Sequence, residues 1–365
     1  MKTATLTFHR ALNYGAVLQA YALQKAIEDL GHDNTIIDYR CKAIENFYKP
    51  VRFYKFRNPI AYLKYRKNYK KNSEKRKKFE EFIMSYLKIT PKPYKTQNSL
   101  LELNNLYDKF ICGSDQVWNH NITKNDFSYL LEFVYDMKKK YSYAASFGFE
   151  EVKSELLLDY RNLLNEFNMI SVRERKGQNI VKKLITADCP VVLDPTLLLS
   201  NTEWKKVAGC DLKFKNYILL YILMETETIF SFVNYLSKAI GLQIIYINMS
   251  EEKPGMINLR NIGPTEWLSL IMNADYIVTN SYHGTIFSLN LNKNFFVELL
   301  PSYIGVNERF ETIFDTFCLH DRQIIEGQNE NIFKPIDYSR INNIIEQERE
   351  MSMTFLRRIV DDKNE

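Results

Sequence analysis

Asp275–Leu299, DYIVTNSYHGTIFSLNLNKNFFVEL, reads as an apolar strand, an apolar helix and a second apolar strand, with Ser281, Tyr282, His283 and Gly284 at the first junction. A strand that runs straight into a helix, and a helix straight into another strand, is the unit of a parallel α/β sheet. In such sheets ligands bind at the carboxyl ends of strands, where helix N-termini present free N–H groups and positive potential. A titratable histidine at that junction either serves an anion-binding site or is a satisfied structural histidine beside Ser281, and position alone leaves the two even.

The same alternation runs outward in both directions. NYILLYIL, a helix through Phe230–Ile240, QIIYINMS and a helix from Pro264 to Met272 precede the quoted stretch, giving one Rossmann-like unit over about 215–335. At the other end of the chain, Thr3–Phe8 is a short apolar strand, VLQAYALQKAIEDLG a helix closing at Gly31, and NTIIDYR a second strand. Further strands are expected in YDKFICGSDQVWN, KKYSYAASFG, FNMISVRERKG and CPVVLDPTLLL, so a second Rossmann-like unit covers about 1–200. A polar linker follows near 201–215, and apolar residues at helical spacing predict a terminal helix over about 340–365. The fold class is α/β, with two Rossmann-like domains, a size that suits a chain of 365 residues.

Composition narrows the class without choosing a ligand. Hydrophobic residues make up 45% and charged residues 25%, as in an ordinary globular protein. The net charge of +5 suits acidic ligands, nucleic acid or anionic membranes equally. Cys41, Cys112, Cys189, Cys210 and Cys318 stand singly, without the spacing of a zinc site or disulfide framework, and no metal site is expected. No run approaches ~20 uninterrupted apolar residues. The expectation is a cytoplasmic protein.

One segment departs from the rest. Residues about 52–94 carry dense Lys and Arg among Tyr62, Tyr65, Tyr69 and Phe79, without strand signals, and read as an exposed helical insertion. Basic residues with aromatic rings suit peripheral contact with an anionic membrane, through Tyr62–Lys78. Binding of nucleic acid by this segment lacks any module signature.

Neither GxGxxG nor GxxxxGKS occurs, so dinucleotide and P-loop chemistry find no support. The first βα loop holds His9, Arg10, Asn13 and Tyr14 ahead of Gly15, and reads either as a site for an anion or sugar hydroxyl or as a plain Asn turn. GSDQVWN places Asp115, Gln116, Trp118 and Asn119 after a strand. Carboxylate and amides suit sugar hydroxyls and an indole face suits a sugar ring, although Asp115 could equally cap a helix and Trp118 fill the core. Arg173 and Arg309 offer planar forks for carboxylate or phosphate, although each taken singly reads equally as a solvated surface arginine. Asp194, between an apolar strand and a proline, reads as a turn.

Taken in order, TFHRALNYGAVLQAYALQ, ICGSDQVWN, YAASFG, SVRE, VLDPTLLL and NSYHGTIFSL resemble the polysaccharide pyruvyl transferase family, over about Met1–Leu319. The resemblance implies a GT-B-like arrangement with an interdomain cleft. It also implies transfer of the pyruvyl unit of phosphoenolpyruvate onto a sugar, as a cyclic pyruvate ketal, without a cofactor. Carried over by motif, His283 and Arg173 belong to the phosphoenolpyruvate site, with Ser281 and Gly284 beside them. Family members often have Arg-Leu before the histidine where this chain has Ser281 and Tyr282, and Arg309 is the candidate replacement cation. His283 and Asp115 are then the expected catalytic groups, and His9, Arg10, Asn13, Tyr14, Gln116, Trp118 and Asn119 the expected acceptor-binding set. The partners implied are phosphoenolpyruvate and a sugar of a surface polysaccharide or its lipid-linked precursor. A GT-B-like glycosyltransferase using a nucleotide sugar is the alternative on the same architecture.

Overall fold

The computed structural model describes residues 1–48, 58–59, 62–63, 73–209, 214–247, 251–301, 307–327 and 332–362. The first half contains β1 (Lys2–Leu6), α1 (Tyr14–Asp29), β2 (Asp33–Ile36), α2 (Lys42–Tyr48), α3 (Ser73–Tyr86), β3 (Lys109–Cys112), β4 (Lys140–Ser142) and α4 (Arg175–Leu184). The second contains β5 (Tyr217–Tyr221), α5 (Glu227–Ile240), β6 (Gln243–Ile247), β7 (Ile257–Leu259), α6 (Pro264–Asn273), β8 (Tyr276–Thr279), α7 (Tyr282–Asn290), β9 (Asn294–Val297), α8 (Glu308–Phe317) and α9 (Tyr338–Asp361). The strands form two parallel sheets, in the orders β2-β1-β3-β4 and β7-β6-β5-β8-β9. Helices on both faces leave such strands no wet side, which is why β5 reads YILLY and is buried at every position.

The strand expected in FNMISVRERKG is reduced to single parallel bridges, Tyr141 with Met169 and Ala145 with Val172, and Val172 bridges onward to Val191. These bridges extend the first sheet beyond β4. They carry SVRE and VLDP to its carboxyl edge.

α1 is apolar around most of its circumference because it is covered on two sides. Its Tyr14 ring stacks on Trp267 of α6, with centroids 5.2 Å apart, and its hydroxyl donates to the Ile262 carbonyl at 3.0 Å. Tyr14 is thus a core residue where the two halves meet, and only 2% exposed. It does not bind an acceptor from there, contrary to the sequence expectation.

The basic insertion is corrected in the same way. Phe79, Phe82 and Ile83 of α3 enter the core shared with Tyr14, Trp204 and Trp267. Lys78 donates to Glu266 Oε1 at 2.7 Å, and the Lys75 ammonium stands 4.7 Å from the centre of the Tyr14 ring. Phe79 is therefore withdrawn from any membrane, while Tyr65 and Tyr69 lie outside the described residues. Among the described residues no helix is long and apolar enough to cross a membrane.

α9 ties the halves together. Ile341 and Ile345 join the core of the second half, whereas Phe355, Leu356, Ile359 and Val360 pack with Leu23, Ile27, Ile111 and Tyr141 of the first. Its last carbonyls are capped by the buried ammonium of Lys109, which donates to Ile359 O at 2.6 Å and Asp362 O at 2.5 Å. A cation at the carboxyl end of a helix meets both unpaired carbonyls and the negative end of the helix dipole.

Candidate active site

Four strand ends converge between the sheets. The turn from β8 into α7 is fixed by Ser281, whose hydroxyl accepts from Gly284 N at 3.3 Å and whose own N–H donates to Thr279 Oγ1 at 3.0 Å. Gly284 is required there, since a Cβ would run into Thr279 Oγ1. Ser281 and Gly284 thus build the junction that presents His283.

The His283 ring lies directly against Gly15 of α1, where a Cβ would overlap the imidazole. Its Nε2 is 3.5 Å from Asp194 Oδ2, an ion-pair distance at which Nε2 makes no hydrogen bond among the described residues. A side chain of the second half is thereby aimed at a carboxylate of the first. Gly15→Ala should cost about 1–3 kcal/mol through overpacking, and displace His283. A wild-type thermal midpoint with wild-type turnover would show that the ring is not held by this contact.

Asp194 is the pivot. Its carboxylate accepts from Arg173 Nη1 at 2.8 Å, Ser114 Oγ at 3.3 Å, Thr196 N at 3.0 Å and Thr196 Oγ1 at 2.7 Å. Burial opposes its charge, yet His283, Arg173 and these hydrogen bonds hold the carboxyl well below the usual range. The turn read from sequence is real, because Asp194 caps the short helix at Pro195–Leu197. The sequence missed that the second carboxylate oxygen carries the site.

Arg173 is enclosed, with its Cζ 4.4 Å from the centre of the Tyr282 ring, and Asp115 and Glu174 at 3.6 and 3.8 Å. Its Nε and Nη2 are buried and hold no hydrogen bond among the described residues. Arg309, at the start of α8, brings its Cζ to 5.3 Å from the same Tyr282 ring. Burial and the neighbouring Arg173 charge both depress its basicity. Glu174 is pushed the other way, burial raising its carboxyl pKa. Asp115 adopts a left-handed φ of 76°, a conformation that costs a non-glycine residue energy and is kept where the surroundings enforce it.

The acceptor candidates separate into three groups. Asn13, Gln116 and Asp115 line a cavity of about 430 Å³ together with Phe8, Ala11, Ile44, Asn121 and Lys124. Asn119 stands behind it, donating to Gln116 Oε1 at 2.9 Å. His9 and Arg10 are engaged with Asp38, at 3.2 Å and at 2.9 and 2.8 Å. Trp118 is corrected to a core residue, 1% exposed, its indole N–H donating to Tyr129 O at 3.1 Å and its ring edge-on to Phe147. It has no free face for a sugar.

Among the described residues no group of His, Cys, Asp and Glu is placed to hold a metal ion. Cys41, Cys112, Cys189 and Cys318 carry free thiols, and Cys210 lies outside the described residues.

The architecture is that of GT-B enzymes. The chain is similar to the UDP-GlcNAc 2-epimerase of Neisseria meningitidis solved with UDP-GlcNAc, at 10% identity over 100% of both chains and a TM-score of 0.53. It is also similar to a putative UDP-N-acetylglucosamine 2-epimerase of Listeria monocytogenes, at 10% identity over 96% of this chain and 90% of that one, with a TM-score of 0.52. Identity this low speaks for the fold alone. No curated protein sequence matches the chain. The family model for polysaccharide pyruvyl transferase matches residues 13–297, a span that holds Gly15, Asp115, Arg173, Asp194 and His283. The chain belongs to the polysaccharide pyruvyl transferase family.

Proposed function

We propose that the protein moves the pyruvyl unit of phosphoenolpyruvate onto a sugar of a surface polysaccharide or its lipid-linked precursor, closing a pyruvate ketal across two hydroxyls. One observation carries the reading beyond family membership. Arg173 keeps two buried fork donors, Nε and Nη2, without hydrogen bonds among the described residues, beside Arg309 and His283 and in contact with the ring of Tyr282. Buried donors left unmade are costly unless a ligand takes them, and a carboxylate or phosphate matches a guanidinium fork.

In this reading the donor's carboxylate and phosphate meet Arg173 and Arg309. His283 delivers a proton to the donor methylene, which becomes a methyl group and leaves positive charge at C2. A first sugar hydroxyl attacks C2 and gives its proton to Asp115. Phosphate departs with its bond electrons as the second hydroxyl closes the ring, and that hydroxyl's proton leaves with the phosphate. The proton on Asp115 returns to His283 through solvent, so the protein ends as it began. Holding the reactants and supplying these transfers are the protein's contributions. The 1–200 half takes the acceptor and the 215–335 half the donor, with Arg173 reaching across from the first. No cofactor is called for besides the co-substrate.

The charge balance has a consequence. Asp194, Asp115 and Glu174 face Arg173 and Arg309, so an anionic donor arrives where carboxylates already match the arginines. Glu174, with its pKa raised by burial, is the group that takes up a proton on binding. The protonated form is favoured at low pH, so donor affinity should fall as pH rises above the ordinary carboxylate range. Glu174→Gln should flatten that fall. Titration calorimetry in buffers of different ionisation heat reads the proton directly, and donor binding without proton uptake would contradict the assignment.

Calorimetry also tests the function itself. Phosphoenolpyruvate should bind and Arg309→Ala should weaken it, while uridine and guanosine diphosphate sugars should not compete. Tight binding of a nucleotide sugar with none of phosphoenolpyruvate would overturn the reading.

A further inference from the structure

His283 and Asn290 stand near the two ends of α7, seven residues apart, which places them two turns from each other on one face of the helix. A buried polar side chain on such a helix has to find partners. Thr285 and Ser288 find theirs within the helix, their hydroxyls donating to Ser281 O at 3.1 Å and Gly284 O at 2.7 Å. Asn290, 7% exposed, reaches out instead: its Nδ2 donates to Thr196 O at 2.8 Å and to Leu199 O at 2.9 Å, across to the first half.

The segment it grips is the one that carries Asp194. Thr196 gives its N–H and its hydroxyl to Asp194 Oδ1, and its carbonyl to Asn290. Asp194 Oδ2 in turn faces His283 Nε2. The contacts thus close a circuit, from His283 to Asp194, to Thr196, to Asn290, and back to His283 along two turns of α7. The Trp204 indole N–H shares Thr196 O at 3.0 Å, and its ring stands edge-on to Phe287 of α7, with centroids 4.9 Å apart. α9 holds the same segment separately, Arg349 Nε donating to Leu197 O at 2.7 Å and Ser352 Oγ accepting from Leu193 N at 2.9 Å. Those two bonds do not involve α7, so they tie the segment to α9 and not to the histidine.

We propose that Asn290 is a positioning residue for the proton transfer: it sets the separation of the Asp194 carboxylate from His283, and with it the aim of the imidazole at the donor. The inference rests on the reading of His283 as the group that protonates phosphoenolpyruvate. At 3.5 Å, Nε2 and Oδ2 stand beyond ordinary hydrogen-bond distance, so no bond of their own locks them and the surrounding ties decide their geometry. One planar amide that donates to two carbonyls fixes direction as well as distance. A misplacement of about 1 Å at a reacting group can cost about a hundredfold in rate.

The test uses the full chain with carbon-labelled histidine and magnetic resonance of the imidazoles. The chain has five histidines, and the His283 signal is identified by its loss in His283→Gln. Asn290→Leu removes both donors at nearly constant shape. In it the His283 signal should move while those of His9, His32, His120 and His320 keep their wild-type positions. Turnover should fall by about tenfold to a hundredfold, with phosphoenolpyruvate affinity, read by calorimetry, near the wild type. Asn290→Ala, which leaves room for water to take both carbonyls, should act in the same direction and keeps the test open if Asn290→Leu does not fold. An unmoved His283 signal, or a loss of donor affinity at unchanged kcat, would reduce Asn290 to a tie between the halves and overturn the proposal. Failure of phosphoenolpyruvate to bind the wild type would instead sink the donor reading, while the ring signals would still decide whether Asn290 places the imidazole.

Discussion

Asp194→Ala should destabilise the protein by about 3–5 kcal/mol and abolish transfer, because it strands a buried guanidinium. Arg173 has a side chain with 0% exposure, and among the described residues its only side-chain hydrogen bond is to Asp194. Asp115 and Glu174, at 3.6 and 3.8 Å, are too far to replace that bond. The loss also frees His283 Nε2 of the carboxylate it faces. Should the variant not fold, Asp194→Leu combined with Arg173→Met keeps the test open, since removing both charges spares the buried cation and should recover much of the midpoint. That double variant should remain inactive. A midpoint for Asp194→Ala equal to the wild type would show that the pair contributes nothing to the fold.

Acid should reveal the same pair from another side. Asp194 is held below its unfolded value, so its contribution is fully present above the ordinary carboxylate pKa and is lost as pH falls below it. Acid unfolding of the double variant should therefore begin at lower pH, relative to its own neutral stability.

His283→Gln should lower turnover by about 10²–10⁴-fold, the range of a positioned proton-transfer group, with a thermal midpoint close to the wild type. Glutamine keeps a polar group at the start of α7 but cannot pass a proton. The ring packs against Gly15 and the edge of Tyr282, so alanine would also open a void, and glutamine is the cleaner substitution. Donor affinity should change far less than turnover. Near-full turnover at saturating phosphoenolpyruvate would remove His283 from the chemistry.

The fold was legible because parallel α/β units write their periodicity locally. YILLY is apolar throughout and Ile277 and Val278 form the buried apolar centre of DYIVTN, since helices cover both faces, and the junction at Ser281–Gly284 follows from a cap and a glycine within four residues. What escaped needs neighbours far along the chain. Asp194 reads as a proline turn, and is one, but its partner Arg173 comes from a separate strand end and His283 from the other sheet. Trp118 looked suited to a sugar because an amphipathic ring serves a core and a binding face equally well, and Tyr14 because it shares the first βα loop with His9, Arg10 and Asn13. Only the rings opposite them, Phe147 and Trp267, decide between the two. The basic run over α3 looked solvated on its lysines, whereas Phe79, Phe82 and Ile83 at helical spacing were its buried stripe. Asp38 gave no signal, since its ligands His9 and Arg10 lie in one loop and Arg40 in the next.

Pyruvyl carbon should leave phosphoenolpyruvate for two hydroxyls of a sugar, and isotope labelling follows that transfer. Purified protein is incubated with carbon-labelled phosphoenolpyruvate and the host's glycan precursors, and mass spectrometry of the glycan is paired with assay of released phosphate. Labelled pyruvate ketal should appear on the glycan with phosphate released in equal amount, and neither should appear with His283→Gln. Phosphate released without label in the glycan, or a glycan extended by a hexose from a nucleotide sugar while phosphoenolpyruvate is untouched, would contradict it.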